Sequence, residues 1–317
     1  MLNVKWKSLL VFSLIAVLLC GCQPTGANAE VGPDDTQDAA MQEKTDEEEA
    51  EAILASMYDF TSESVFNKKD FFEYMPTAEI VGIKGDDCVA VPKKDLYYVM
   101  QGGCTDGTYV YVILEAQGGL DTETRNNPTL LRKLDMSTWE IVAENRLNLG
   151  HGNGMTYNSR LNQLVVAHYR PGNQVSFINP DTLELVESRT IDYEISNIGY
   201  NATYDKYVAS AGRMAFYILD ADFNQLLYSK GEGIDAAVQG IDCDDNYIYI
   251  GNSIVEKGYE TVRVYDWNGE YKFAYRIGSG QEQEAIFHYG DKFYVTFYTG
   301  NGGTIYEIKY DFSLITK

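Results

Sequence analysis

Apolar and polar residues alternate along most of the chain after about residue 95. In residues 239–250, for example, a short strand of small residues leads through a polar turn into an alternating strand rich in Tyr and Ile. A period of two residues predicts β-strands with one buried face. A second hairpin follows, with Asp or Asn at its turn, because these side chains close a turn on their own backbone. Each such unit is predicted to hold four antiparallel strands.

The four-stranded unit recurs five times, with starts 52, 44, 42 and 45 residues apart. A unit of this kind and period is typical of a β-propeller, where blades set around an axis cover each other's faces. We therefore predict an all-β fold, a five-bladed β-propeller over residues 95–317. Residues 53–94 hold further strands that cap an edge, complete a blade or form a degenerate sixth one.

The first 22 residues have the pattern of a secretion signal. Lys5 and Lys7 precede an apolar stretch, Leu9–Leu19, that is short for a membrane span. The following Gly21-Cys22 resembles the lipobox of bacterial lipoproteins, in which the Cys becomes the lipidated N-terminus. The alternative is an ordinary signal cleaved near residues 27–29. The lipobox predicts a protein on the extracellular face of the cell membrane, held there by the lipid alone.

The distribution of charge predicts a disordered linker and excludes nucleic acid as a main partner. Residues 23–52 carry ten acidic residues and one Lys, a composition that predicts a disordered acidic tether. The whole chain has 47 Asp and Glu against 25 Lys and Arg, a net charge of −22. Nucleic acid is therefore excluded as a main partner, because it requires a basic surface. We expect a monomer.

Five aligned positions suggest a site. The first strand of each propeller blade lines the central channel, and its opening residue is polar in every unit. These residues, called the ring residues below, converge at one mouth of the predicted channel, where they either bind a ligand or hold backbone groups and water. The ring residues are Gln101, Asn153, Asn197, Gln239 and Glu284.

The loops between second and third strands open on the same face as the ring residues. Three consecutive loops carry Arg125, Arg170 and Arg213, which could hold a carboxylate or phosphate, or else be solvated surface residues. The candidates for acid–base work are Glu115, Glu284 and His151. No metal or other cofactor is predicted, since the three His lack metal-ligand spacing and no C-x-x-C pair occurs. Cys104 and Cys243 lie in apolar strand patterns and are expected in the core.

Two resemblances follow from these motifs. Residues 101–107 (QGGCTDG), 151–158 (HGNGMTYN) and 239–245 (QGIDCDD) resemble secreted five-bladed propeller lipoproteins of Gram-positive bacteria, which implies fold and location but no activity. Gln101-Gly102, Glu115 and residues 131–135 (LRKLD) are similar, more distantly, to five-bladed glutaminyl-peptide cyclotransferases. In that family the residue matching Glu115 would shuttle a proton. Here Glu115 is followed by Ala-Gln-Gly rather than a Ser-Thr-Gly-like run.

The sequence favours a membrane-anchored, non-catalytic binding protein. The expected ligand is small and anionic, sugar-like or a peptide, held by the ring residues with the three arginines at the edge. The alternative is an enzyme on the same face, cyclotransferase-like or glycosidase-like, that uses Glu115, Glu284 or His151. A purely structural envelope protein is a third interpretation.

The lipid anchor is directly testable. We expect Cys22→Ser to abolish metabolic labelling by a fatty-acid analogue, because the thiol that accepts the lipid is gone. Cys88→Ser, which changes a thiol far from the signal, should label normally. Equal labelling of the two variants would refute the anchor.

Overall fold

The computed structural model describes residues 75–116, 128–210, 214–231, 236–254 and 259–310. Every helix or strand element within these ranges is a β-strand, which confirms the all-β class. No helix long and apolar enough to cross a membrane occurs in these ranges. The predictions for the signal, the linker, Cys22, Arg125 and Arg213 lie outside the described residues. All the described residues belong to one compact unit, Ala55–Lys317.

The chain begins its described part with two short strands and then enters the repeating units. In each of the first four units, every strand pairs antiparallel with the next one in sequence. The initial strands are β1 (Thr77–Val81) and β2 (Val89–Pro92). The first unit holds β3 (Tyr97–Thr105), β4 (Tyr109–Ala116), β5 (Pro128–Asp135) and β6 (Ile141–Asn148). The second holds β7 (Gly154–Asn158), β8 (Gln163–Ala167), β9 (Gln174–Ile178) and β10 (Leu185–Thr190). The third holds β11 (Ile198–Asn201), β12 (Lys206–Ser210), β13 (Phe216–Asp220) and β14 (Gln225–Ser229). The fourth holds β15 (Ala237–Cys243), β16 (Tyr247–Ile254), β17 (Tyr259–Asp266) and β18 (Tyr271–Ile277).

The fifth unit takes its outer strands from the beginning of the chain. It consists of β19 (Glu282–Tyr289), β20 (Lys292–Tyr298) and β21 (Gly302–Lys309). Both β1 and β2 pair antiparallel with the outer edge of β21, at Ile80↔Ile308 and Val91↔Gly303. Residues 77–92 thus occupy the position that a fourth strand fills in the other units.

The hydrogen-bonded sheets do not follow the units throughout. The second and third units are separate four-stranded sheets, whereas the remaining strands join into one sheet of 13 among the described residues. The joins are short parallel contacts, Thr77↔Arg276 between β1 and β18 and Gly302↔Val99 between β21 and β3.

The hairpin turns are built as the sequence predicts. Asp135 Oδ1 accepts hydrogen bonds from the backbone N–H groups of Ser137 and Thr138, at 2.8 and 3.1 Å. Asp106 and Asp244 do the same for the two residues that follow their turns. These carboxylates satisfy backbone donors that the turn leaves without a partner.

The core lies between units rather than within them. Five apolar clusters are present among the described residues, and each combines side chains from two units that follow one another, the last joining the fifth unit to the first. The first strands of the units also contact each other in the order β3, β7, β11, β15, β19 and back to β3. Representative pairs in the five clusters are Ile113 with Leu164, Val165 with Tyr207, Val208 with Ile250, Val264 with Val295, and Phe287 with Val112.

A half-buried ion pair ties the first strands of the fourth and fifth units together at their carboxyl ends. His288 Nδ1 lies 2.6 Å from Asp242 Oδ2, and the imidazole stacks on Phe293. The negative charge of Asp242 raises the pKa of His288 to about 9, against the opposing effect of burial. Cys104 and Cys243 lie at the same end, buried and free, as expected.

This ion pair makes stability depend on pH. The pKa of His288 is higher in the folded chain than its ordinary 6.5, so its stabilisation is complete below about pH 6.5 and is lost as the pH rises through 9. Urea unfolding should therefore show Asp242→Asn destabilised relative to wild type at pH 6, with the difference shrinking by roughly 2 kcal/mol at pH 9.5. Asp291→Asn, an exposed change, should show no such pH trend. A constant difference for Asp242→Asn would argue against a charged His288.

Candidate functional site

Three ring residues occupy the same irregularity in their strands. Gln101, Gln239 and Glu284 each fall where the first strand has one residue more than its partner, a β-bulge. Bulges redirect a side chain out of the regular pleat and are common beside functional sites. Asn153 and Asn197 immediately precede β7 and β11. The aligned positions of the sequence therefore correspond to equivalent places in the structure.

Small residues just after the ring residues let the first strands approach closely. A Cβ added to Gly154 would lie 2.5 Å from Asn197 Cα, and one added to Gly240 would lie 2.7 Å from the Ile286 nitrogen. The cleft between these strands is too narrow for a water molecule. Its lining includes residues from all five first strands or their starts: Gly102, Asn153, Asn197, Gly240 and Ala285. The ring residues thus border the place where the first strands pack closely together, which we call the closed floor.

Two ring asparagines converge on one carbonyl. Asn197 Nδ2 donates to the Val238 carbonyl oxygen at 2.8 Å, and Asn153 Nδ2 approaches the same oxygen at 3.5 Å. These contacts bring the second and third units against the fourth. Gln239 Nε2 donates to Glu282 Oε1 at 2.8 Å, which links the fourth unit to the fifth.

Carboxyl groups from three units surround the ring. Glu284 is 3% exposed. Its pKa lies well above the ordinary 4.5, first because burial disfavours the charged form and then because Glu282, Glu260 and Glu115 lie nearby. Burial also raises the pKa of Glu260 to about 7, although the Gln283 backbone N–H and the Ser253 hydroxyl donate to it. Perturbed carboxyl groups gathered at one place indicate a functional site.

Glu115 lies next to a histidine. Its Oε2 is 2.8 Å from His151 Nδ1, an ion-pair distance at an angle unsuited to a hydrogen bond. Glu115 is buried, whereas the His151 side chain is 21% exposed and meets Tyr169 edge-on, with ring centroids 5.5 Å apart. The pair thus joins the interior of the site to its rim. We call the ring residues together with Glu115, His151, Glu260 and Glu282 the polar mouth.

Part of the rim predicted from the sequence falls within the described residues. Arg170 is half-buried, and its guanidinium lies 5.0 Å from the centre of the Tyr169 ring. It is the one member of the proposed arginine set that falls within the described residues. His168, near the same loop, contacts Ser176 Oγ through Nε2 at 2.8 Å, and burial lowers its pKa to about 4. It is therefore neutral at physiological pH and serves the packing of β8 against β9.

Two members of the polar mouth were missed at the sequence level. Glu282 begins β19 and Glu260 lies in β17 opposite Ser253. Glu282 could have been noticed because it stands two residues before Glu284. No local sequence pattern marks Glu260, because its place in the site depends on how β16 and β17 pair. In the described part of the chain, no group of three His, Cys, Asp or Glu is placed to hold a metal ion.

Comparison with known proteins gives structural likeness only. No protein-family profile matches the chain, and no curated protein sequence does. Among solved structures, the tail fiber of Staphylococcus aureus phage P68 is similar over 70% of this chain, at 14% identity and a TM-score of 0.45. Hydrazine synthase of Kuenenia stuttgartiensis is similar over 65% of the chain, at 15% identity and a TM-score of 0.40. The chain spans 52% and 57% of those two chains. The Pan2 WD40 domain of Neurospora crassa is similar over 66% of this chain and 76% of its own, at 11% identity and a TM-score of 0.37.

Burial of the Glu284 carboxyl group lowers the stability of the folded protein at neutral pH. Its pKa is higher folded than unfolded, so folding stability falls as the pH rises above about 4.5. Glu284→Gln removes the charge and keeps the shape, and we expect it to raise Tm at pH 7 by roughly 2–4 °C, the change that about 1 kcal/mol produces in a domain of this size. The gain should vanish near pH 4.

The exposed change Glu184→Gln serves as the control and should leave Tm unchanged at both pH values. A Glu284→Gln variant less stable than wild type at pH 7 would mean that other contacts compensate the buried carboxylate.

Proposed function

We propose that the described residues form a five-bladed β-propeller, with residues 77–92 completing the fifth blade. Support comes from five apolar clusters, each shared by two units, and from the circular order of contacts among the first strands. In the same proposal, Cys22 anchors this domain to the extracellular face of the membrane through residues 23–52. The polar mouth and the Asp242–His288 pair would then lie at opposite ends of the first strands.

We further propose that the protein is a binding protein whose ligand occupies the polar mouth. The observation that carries this is the convergence of Asn153, Asn197 and Gln239 onto groups of neighbouring units, at the edge of a closed floor. A pocket lined by polar groups from several blades can grip a ligand from several directions. A purely structural role would not require Glu115, Glu260 and Glu284 to be buried at one place, since burying carboxyl groups costs free energy.

The carboxyl groups bear on the kind of ligand. An anion would meet Glu115, Glu260, Glu282 and Glu284 and be repelled. A sugar-like ligand or a peptide presents hydroxyl or N–H donors, which carboxylates and amide oxygens accept. Of the three ligand classes that the sequence suggests, the polar mouth favours these two.

An enzyme is the second candidate, supported by one specific feature. Burial and the neighbouring carboxyl groups raise the pKa of Glu284, while the neighbouring Glu115 contacts a histidine. Two carboxyl groups in different environments can divide the roles of proton donor and proton acceptor. Such a pair acts on glycosides when the bond to be cleaved lies between the two groups.

A thermal-shift screen tests the binding proposal. We expect at least one compound among neutral sugars, amino sugars and short peptides to raise the Tm of the wild type. The shift should disappear in Glu284→Gln and in Gln239→Ala, because both changes alter groups in the polar mouth.

The controls are Glu184→Gln and Asn224→Ala, which change exposed residues that do not belong to the polar mouth. Both variants should keep the ligand-induced shift. A ligand-induced shift that survives in both mouth variants would place binding elsewhere. If the wild type turns a glycoside or peptide over and both Glu284→Gln and Glu115→Gln lower the rate by about 10²-fold or more, the enzyme is favoured instead.

A further inference from the structure

In three of the four ring amides, those of Asn153, Asn197 and Gln239, the nitrogen atom is already engaged by the protein. Asn197 Nδ2 and Asn153 Nδ2 face a backbone carbonyl, which can only accept. Gln239 Nε2 faces a carboxyl oxygen of Glu282. The partners therefore fix how each amide is turned, with nitrogen toward the protein. What the ring retains for a ligand is amide oxygen.

Two of these oxygens are buried and have no hydrogen-bond partner among the described residues. They are Oε1 of Gln101 and Oδ1 of Asn197, on side chains 3% and 0% exposed. A buried acceptor without a donor has given up its hydrogen bonds to water and gained none in return. An unsatisfied acceptor in a native structure needs an explanation, and a donor supplied by a ligand is one.

The charged neighbours add more acceptors. The groups that shift the pKa of Glu284 by their charge are Glu282, Glu260 and Glu115, with no Lys or Arg among them. Glu260 is likewise affected by the charge of Glu282. A basic group does contact these carboxyl groups at Glu115, whose Oε2 lies 2.8 Å from His151 Nδ1. Among the described residues, the polar mouth is therefore rich in acceptors and holds four carboxyl groups.

Aromatic rings stand beside these carboxyl groups. Tyr298 lies directly opposite Glu282 in the pairing of β19 with β20. Burial first, and then the charges of Tyr98, Glu284 and Glu282, raise the pKa of Tyr298. Tyrosine faces attract cations, most strongly where water is excluded. Carboxylates, free amide oxygens and tyrosines together suit one ligand chemistry.

We propose that the polar mouth binds a small organic cation through a primary ammonium group. This inference rests on the proposed binding function and narrows its ligand class. An ammonium group brings three N–H donors and one positive charge, which match the amide oxygen of Gln101 and the carboxyl groups beside Glu284. The net charge of −22 would raise the local concentration of such a ligand.

The test is isothermal titration of the folded protein at pH 7.5 with matched probes. The first set is glucosamine, N-acetylglucosamine and glucose, and the second is triglycine amide with its N-acetylated form. We expect a free amine in at least one set to bind tenfold or more tightly than its acetylated partner. The set that responds distinguishes an amino sugar from a peptide amine as the source of the ammonium group.

Variants locate the effect. Glu284→Gln and Gln101→Leu should each weaken binding of the amine by at least fivefold, while Glu184→Gln should not change it. Glu284→Gln is expected to fold at least as well as wild type, so a loss of binding is not a loss of structure. Circular dichroism of each variant checks this.

The outcomes separate the two proposals. If acetylated or uncharged probes bind as tightly as the amines and binding depends on Glu284, the mouth is a binding site but the ammonium proposal is wrong. If amines bind and the affinity is unchanged in both mouth variants, the ammonium proposal is also wrong, since the cation then binds elsewhere. If no probe binds and the thermal-shift screen finds no compound, both proposals fall.

Discussion

The structure depends on apolar contact between neighbouring four-stranded units. A twisted sheet of four strands has two faces, and a unit in isolation would leave at least one of them in water. Here two units share each apolar cluster. In β8, Val165 packs in the cluster shared with the third unit, and Leu164 packs in the cluster shared with the first unit. Period-2 alternation places these neighbours on opposite faces. Every unit is thus stabilised by two others, and the last cluster joins the fifth unit to the first.

This dependence explains the position of the site. Units that pack side by side crowd their first strands together, and only small residues such as Gly154 and Gly240 fit where backbones meet. The side chains one residue earlier are the ring residues, one from each unit. Bulges at Gln101, Gln239 and Glu284 then redirect them. The polar mouth is therefore a consequence of how the core is closed.

The sequence predicts the local parts of this arrangement and not the long-range ones. Alternation and Asp turns yield the strands, and the repeat register identifies Gln101, Asn153, Asn197, Gln239 and Glu284 as equivalent. Pairing of β1 and β2 with β21 joins segments more than 200 residues apart, for which no local pattern exists. Glu260 was missed for a related reason. It comes near Glu284 only through the register of β17, the third strand of the fourth unit, and through the packing of the fourth unit against the fifth. Burial of Glu115 likewise follows from neighbours that the repeat does not specify.

Stability and the proposed binding function oppose each other at the mouth. The core could be closed with apolar residues at the positions of Glu260 and Glu284, which would avoid the cost of burying carboxyl groups. The Gln101 and Asn197 oxygens lack donors in the described structure, which adds to that cost. Native proteins accept such costs mainly where a group must meet something outside the chain. The same groups that weaken the fold are those that a donor-bearing ligand would satisfy, so binding and stability are coupled through them.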